Sequence, residues 1–409
     1  MEEDVKYLRI GTAIYKVVTR PCIDGECQKT LLPWRYSTLC QDEGKDYAAT
    51  IPKYDGFCTV PSHTHYKREI NNFYNRYEPV NHNPAPGPFP HIEDLIHHIF
   101  EEQYELGLDY LQLLYLKPIQ KLPILLLVSE ERNTGKTTFL NFLKAVFQHN
   151  VTFNTNEDFH SKFNSDWAGK LLVMVDEVLL NRREDTERLK NLSTALSYKM
   201  EAKGKDRQEV EFFAKFVLCS NNESFPIIID REETRFWARK VHPLSREDPD
   251  YLNHLKSEIP AFLSHLQQRQ YSTERSSRMW FSAADLHTAA LDRIVRASRN
   301  RAESDLAELL VEMMTVLDVE KLTFCKRDLI QILRYHDIKM DEGQLRRILN
   351  DNWKLPHEGN AHSYTFYQVD QGSPTGYREH KGVGRFYTAS LDSLRPFVDC
   401  VESLNTIQE

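Results

Sequence analysis

Seven cysteines in 409 residues are too few, and odd in number, for a disulfide framework. They are read as free, reduced thiols of a cytoplasmic protein. Cys22, Cys27, Cys40 and Cys58, with His63 and His65 nearby, do not follow the paired spacing of a structural zinc site. Long apolar runs are missing too: Leu122 to Val128 is far short of the ~20 residues a membrane span needs. The opening MEEDVKYLRI is acidic and has no basic-then-apolar leader region, so no membrane partner is expected. Excess basic charge is also absent, with 52 Lys and Arg against 60 Asp and Glu and a net charge of −8. Any nucleic-acid binding must therefore be local, through a loop, a pore or one face. No convincing paired-carboxylate metal site stands near the start; Asp42, Glu43 and Asp46 read as a surface acidic cluster.

What is present suits a soluble chain of two or three domains. Residues 1–82, rich in Tyr, Cys, Pro and Gly, read as a small α+β accessory region. Residues 83–91 hold Pro84, Pro86, Pro88 and Pro90 and can only be a connector. Residues 92–245 form the core. Its lead-in, 92–120, places Ile92, Leu95, Ile96 and Ile99, then Leu106, Leu111 and Leu114, at helical spacing. Ile124 to Val128, Leu171 to Val175 and Phe212 to Leu218 read as strands buried on both faces of a parallel sheet, alternating with helices such as Phe139 to Phe147. Residues 246–318 are helix-rich. Residues 319–409 read as winged-helix-like: helices at Lys326 to Tyr335 and Gln344 to Asn350, then strands around Tyr364 to Tyr367 and Gly384 to Thr388.

The chemistry concentrates where the strands end. Asn133-Thr134-Gly135-Lys136-Thr137-Thr138 lies between a buried strand and a helix, the setting of a phosphate loop. Backbone N–H groups there can close around phosphate oxygens, Lys136 can reach the β and γ phosphates, and the Thr137 hydroxyl can ligate Mg²⁺. The usual pattern has a glycine five residues before Gly135; Glu130 stands there instead. Asp176 and Glu177 close the second strand, 40 residues after Lys136. There the Asp can hold Mg²⁺ and the Glu can deprotonate an attacking water, unless the two are a surface acidic pair. Asn221, after the third strand, can hydrogen-bond both γ-phosphate and water, or simply make a turn. Arg235 can reach a neighbouring subunit's γ-phosphate, with Arg231 and Arg239 as competitors and a surface salt bridge as the alternative. Lys203 and Lys205 flank Gly204 on a basic turn that can follow a DNA backbone or be merely solvated.

Together these motifs resemble the superfamily 3 helicases, and more closely the helicase part of phage and poxvirus primase-helicases, including the primase-polymerases of deep-sea vent phages. The resemblance runs from about Tyr74 to Val241 and includes the lead-in Leu111 to Pro123. Arg278-Met279-Trp280-Phe281 is similar to chains in mobile elements of gut bacteria. The resemblance implies an α/β, AAA+-like P-loop ATPase core and a homo-hexameric ring. It implies that the ring hydrolyses ATP with Mg²⁺ between subunits and moves on single-stranded DNA. It gives Lys136, Thr137, Asp176, Glu177, Asn221 and Arg235 the roles reasoned above, and places Lys203 and Lys205 at a pore hairpin. Residues 1–82 are short for a primase, so a separate primase is the expected partner. Alternatives are an initiator or remodelling ATPase that does not unwind, and a small-molecule kinase using the same loop.

Overall fold

The structure, a computed structural model, describes residues 5–21, 27–160, 167–180, 182–200, 208–230, 233–244, 248–336, 338 and 340–397. The chain forms two compact units. One comprises Met1–Leu180, Glu184–Pro226 and Glu233–Leu291, the other Asn181–Arg183, Ile227–Glu232 and Asp292–Glu409.

In the first unit, β1 (Tyr7–Ile10), β2 (Ala13–Pro21) and β3 (Cys27–Trp34) run antiparallel. Gly11, at φ +58°, allows the tight reversal between β1 and β2. Helices α1 (Tyr36–Glu43) and α2 (Tyr47–Thr50) follow, and β4 (Lys53–Tyr54) joins β1 in parallel. Tyr7, Ile14, Leu39 and Ile51 make the small core. A three-stranded sheet comes next: β5 (Gly56–Cys58), β6 (Glu69–Ile70) and β7 (Phe73–Asn75).

The proline-rich stretch is irregular up to Phe89, and Pro90 opens α3 (Pro90–Phe100), where its missing N–H costs nothing. The helical periodicity of the lead-in becomes α3 and α4 (Tyr104–Leu116), with Ile92, Leu95, Ile96, Ile99, Leu111 and Leu114 in the main core. That core surrounds a five-stranded parallel sheet. Its strands are β8 (Ile124–Val128), β9 (Val151–Asn154), β10 (Leu172–Val175), β13 (Lys215–Ser220) and β14 (Phe236–Lys240). Helices α5 (Lys136–Phe147), α6 (Asn156–His160) and α7 (Arg183–Thr194) intervene. So does the antiparallel hairpin β11 (Ser197–Met200) and β12 (Gln208–Glu211). The spatial order is β14-β8-β13-β10-β9, every pair parallel. Strands β8, β10 and β13 are buried throughout, as the continuous apolar runs of β8 and β10 require.

The third strand differs from expectation: it spans Lys215–Ser220 rather than starting at Phe212. Phe212 and Phe213 are buried beside the strand instead, Phe212 packing edge-on against Tyr198. Lys215 occupies the first strand position, with its amine donating to the Pro118 carbonyl. After β14 comes α8 (Tyr251–Gln268).

In the second unit, most of α9 (Ala289–Leu317) is followed by β15 (Lys321–Phe324), α10 (Lys326–Tyr335) and α11 (Glu342–Arg347). The hairpin of β16 (His362–Val369) and β17 (Tyr377–Gly384) precedes β18 (Tyr387–Ser390), which returns to pair with β15. Leu329, Ile332, Leu333, Leu345 and Leu349 anchor its own core. Among the described residues, no helix is long and apolar enough to cross a membrane.

Candidate active site

In the main sheet, β13 lies between β8 and β10, with Val128 opposite Ser220 and Val175 opposite Leu218. Three adjacent strands therefore end at one edge. The chain leaves β8 through α5 and returns at β9, on the far side of β13 and β10. Such a reversal of strand order opens a crevice beyond the carboxyl ends, where open α/β sheets bind ligands.

The loop from Ser129 to Gly135 leaves β8 at that crevice. Asn133 (φ +54°) and Gly135 (φ +80°) both take left-handed backbone conformations. A side chain at position 135 would meet nothing closer than Leu244 at 3.5 Å, so conformation rather than space demands the glycine. His98 Nε2 lies 3.0 Å from the Thr134 carbonyl, and Leu244 N donates to the Asn133 carbonyl at 2.9 Å. The loop is held from both sides. Lys136 opens α5 with its side chain turned back under the loop, 5% exposed. Its Nζ donates to Ser129 O at 3.3 Å and to Thr134 Oγ1 at 3.1 Å. Burial pushes its pKa down, while Cys219, Asp176 and Glu223 pull it back up.

Thr137, also on the first turn of α5, donates its hydroxyl to Asp176 Oδ2 at 2.7 Å. Glu177 takes a positive φ of 60°, and its amide donates to Asp176 Oδ1 at 3.2 Å. Asn221 Nδ2 donates to Glu177 Oε1 at 3.2 Å. Thr137, Asp176, Glu177 and Asn221 are thus joined at one edge by contacts between neighbouring strand ends, and Lys136, next to Thr137, feels the charge of Asp176. Asn133, Thr134, Gly135 and Thr138 line the same turn. Two hard oxygens meeting at Thr137 and Asp176, beside the Lys136 amine, form a donor set suited to Mg²⁺ and phosphate.

Arg235 stands elsewhere. Its carbonyl accepts from Ile124 N at 2.8 Å, so it sits where β8 and β14 begin, at the opposite edge from Lys136. Five strand positions, roughly 16 Å, separate it from the level of Val128. Its Nη1 reaches Glu233 Oε2 at 3.2 Å, and its Nε is buried with no hydrogen-bond partner. Its competitor Arg239 is buried and paired with Glu101 and Glu102. Lys203, Lys205 and Arg231 lie outside the described residues; β11 and β12 frame the segment that holds the two lysines.

Two further residues at the site have no motif to announce them. Glu223, buried, accepts from Glu130 N at 3.3 Å and from Lys240 Nζ at 3.0 Å. Lys240 closes β14 level with Val128, a relation visible only in the register. The Glu130 side chain is itself exposed. Of the cysteine–histidine group, His63 is committed to the Tyr115 carbonyl and the Tyr77 hydroxyl, each at 2.7 Å. No cluster of three or more His, Cys, Asp or Glu placed to hold a metal ion occurs among the described residues.

Residues 127–239, from β8 to β14, match a family model described as Family of unknown function (DUF5906). A search of the curated proteins finds no match. Among solved structures, the apo C-terminal region of NrS-1 (305–718) is 13% identical, with a TM-score of 0.56, covering 94% of this chain and 95% of that one. An A-form apo structure of the same region is 15% identical, with a TM-score of 0.55 and 95% of each chain covered. At that identity the likeness is one of fold: this chain and the NrS-1 region share an architecture over nearly their whole lengths.

Proposed function

We propose that this protein is an ATP-dependent DNA helicase or translocase of superfamily 3 type, acting on single-stranded DNA in the replication of a phage or integrated mobile element. The observation that carries the reading is the convergence of Lys136, Asp176, Glu177 and Asn221 at three adjacent strand ends. Lys136 releases its two long hydrogen bonds to neutral oxygens to hold the phosphates, and the start of α5 adds its N–H groups. Thr137 and Asp176 would hold Mg²⁺, which supplies charge neutralisation at the transferring phosphoryl group. Glu177 accepts the proton of the attacking water, and the Asn221 amide holds the carboxylate in place. Arg235, too far from its own Lys136, serves the site of the adjacent copy in a homo-oligomer, which the resemblance makes a hexamer. The winged-helix reading of the second unit, the pore role of Lys203 and Lys205 and a separate primase complete the proposal.

The test is ATP hydrolysis and unwinding of forked DNA. Lys136→Ala and Glu177→Gln each lower kcat about 10²–10⁴-fold, and Glu177→Gln still binds nucleotide. Hydrolysis that single-stranded DNA does not stimulate, or that survives both substitutions, sinks the reading.

A further inference from the structure

Strands β1 to β4 carry Arg9, Lys16, Arg20, Lys29 and Lys53 and not one Asp or Glu, in a chain of net charge −8. The pairing register sets Lys53, Arg9, Ile14 and Trp34 opposite one another across β4, β1, β2 and β3. Residues directly opposite share a face, so one row runs from cation to aromatic. In front of that row lies a cavity of about 390 Å³. Arg9, Thr12, Pro33, Trp34, Tyr36 and Ile51 line it, and no lining residue is acidic. Tyr36 is 58% exposed, and Lys16 Nζ stands 4.5 Å above the Trp34 ring. The Trp34 indole N–H is buried and has no hydrogen-bond partner.

These groups specify their occupant. Indole and guanidinium can only donate hydrogen bonds, so the ligand must bring acceptors. A buried donor left alone is costly, and an arriving acceptor recovers that cost. Flat aromatic surface beside cations suits a ligand that is planar and anionic at once. Single-stranded nucleic acid offers base faces and phosphates in alternation, whereas a duplex hides its base faces. A proline-rich peptide would use Trp34 and Tyr36 but leave Arg9 and Lys53 without counterparts. We propose that this face of the N-terminal sheet docks single-stranded nucleic acid, bases against Trp34 and Tyr36 and phosphates against Arg9 and Lys53. The site lies outside the nucleotide crevice and does not rest on the ATPase reading.

The experiment uses the full chain without nucleotide and a short fluorescein-labelled oligo-dT, read by anisotropy over a salt series. Tyr36→Ala weakens binding about tenfold, and Tyr36→Phe restores it. Arg9→Glu weakens it similarly and lowers the slope of log K against log salt by about 0.7 for each phosphate no longer neutralised. Lys256→Glu, the same charge change at an exposed position on α8, leaves affinity and slope unchanged. Photocrosslinking of an iododeoxyuridine oligomer labels the peptide containing Trp34 and Tyr36. Wild-type affinity in both Tyr36→Ala and Arg9→Glu overturns the proposal, as does an equal loss in Lys256→Glu. A proline-rich peptide that needs Tyr36 while oligo-dT does not would overturn it as well. Because nucleotide is absent, a chain that fails to hydrolyse ATP can still pass.

Discussion

Two buried lysines stand at opposite edges of one parallel sheet, and their surroundings differ in kind. Lys136, at the carboxyl edge, stands near Asp176 and Glu223, whose negative charges support its own. Its hydrogen bonds, at 3.1 and 3.3 Å, go to neutral oxygens. Lys215, at the amino edge, donates to the Pro118 carbonyl, and its charged neighbour is another cation, Lys121. Burial lowers both pKa values, but only at Lys136 is the charged form favoured by what lies around it. A buried cation in an acidic setting with weak partners is poised for an anion. A buried amine tied to a carbonyl beside a second lysine closes off a strand end. On the proposed function, the carboxyl edge binds and the amino edge holds the sheet together.

Arg235 tests that division most severely, because it belongs to the amino edge and yet carries a proposed catalytic duty. If it serves another copy's site, Arg235→Ala lowers ATP hydrolysis about 10³–10⁵-fold while nucleotide still binds. Mixing Arg235→Ala with Lys136→Ala then restores part of the activity, because some interfaces pair an intact arginine with an intact lysine. Steady-state ATPase across mixing ratios reads this directly. A mixture no more active than its parts would return Arg235 to a salt bridge with Glu233.

The lysines themselves come next. Lys136→Met lowers kcat by about 10²–10³ and leaves the melting temperature nearly unchanged. Lys215→Met does the reverse: hydrolysis stays within about twofold, and stability shifts because the Pro118 carbonyl loses its donor while a desolvated amine disappears. Thermal unfolding and ATPase rates on the two variants decide the matter. Loss of hydrolysis in a well-folded Lys215→Met protein would break the comparison.

Much of the carboxyl edge was legible in the sequence because its parts are local. Ile124 to Val128 and Leu171 to Val175 are uninterrupted apolar runs; Asp176-Glu177 follows the second directly, and Gly135-Lys136-Thr137 follows the first after a short loop. The third strand starts later than expected because the buried Phe212, Phe213 and Ala214 carry the same apolar signal as a strand, while Lys215, which opens the strand, has its partner Pro118 97 residues away. Adjacency of the three strand ends was equally beyond local reading, since the order β8-β13-β10 is set by pairing across long separations. Glu223, His98 and Leu244 escaped for the same reason, since each reaches the loop through space, and Lys240 reaches it only by way of Glu223. Near the start of the chain, the basic strands were masked in the bulk charge. Their cations balance the acidic residues around them, and only the register collects them on one sheet.

The smallest expected effect concerns pH. Burial pushes Lys121 down to about 8 and Lys215 well below its usual range, whereas both return to ordinary values in the unfolded chain. Between the folded and unfolded pKa the unfolded state binds more protons, so stability rises with pH there. The melting temperature therefore climbs from about pH 8 to 9, the window opened by Lys121. Above that, the buried hydroxyls of Tyr77 and Tyr110, whose pKa values burial raises, oppose the trend as unfolded tyrosines ionise. Lys121→Met flattens the rise. Lys136→Met barely alters it, because Asp176 and Glu223 offset part of the burial at that position. Scanning fluorimetry from pH 7 to 9 separates the two. Equal flattening by both substitutions would mean that the edges do not differ electrostatically, and that the acidic setting of Lys136 does not support its charge.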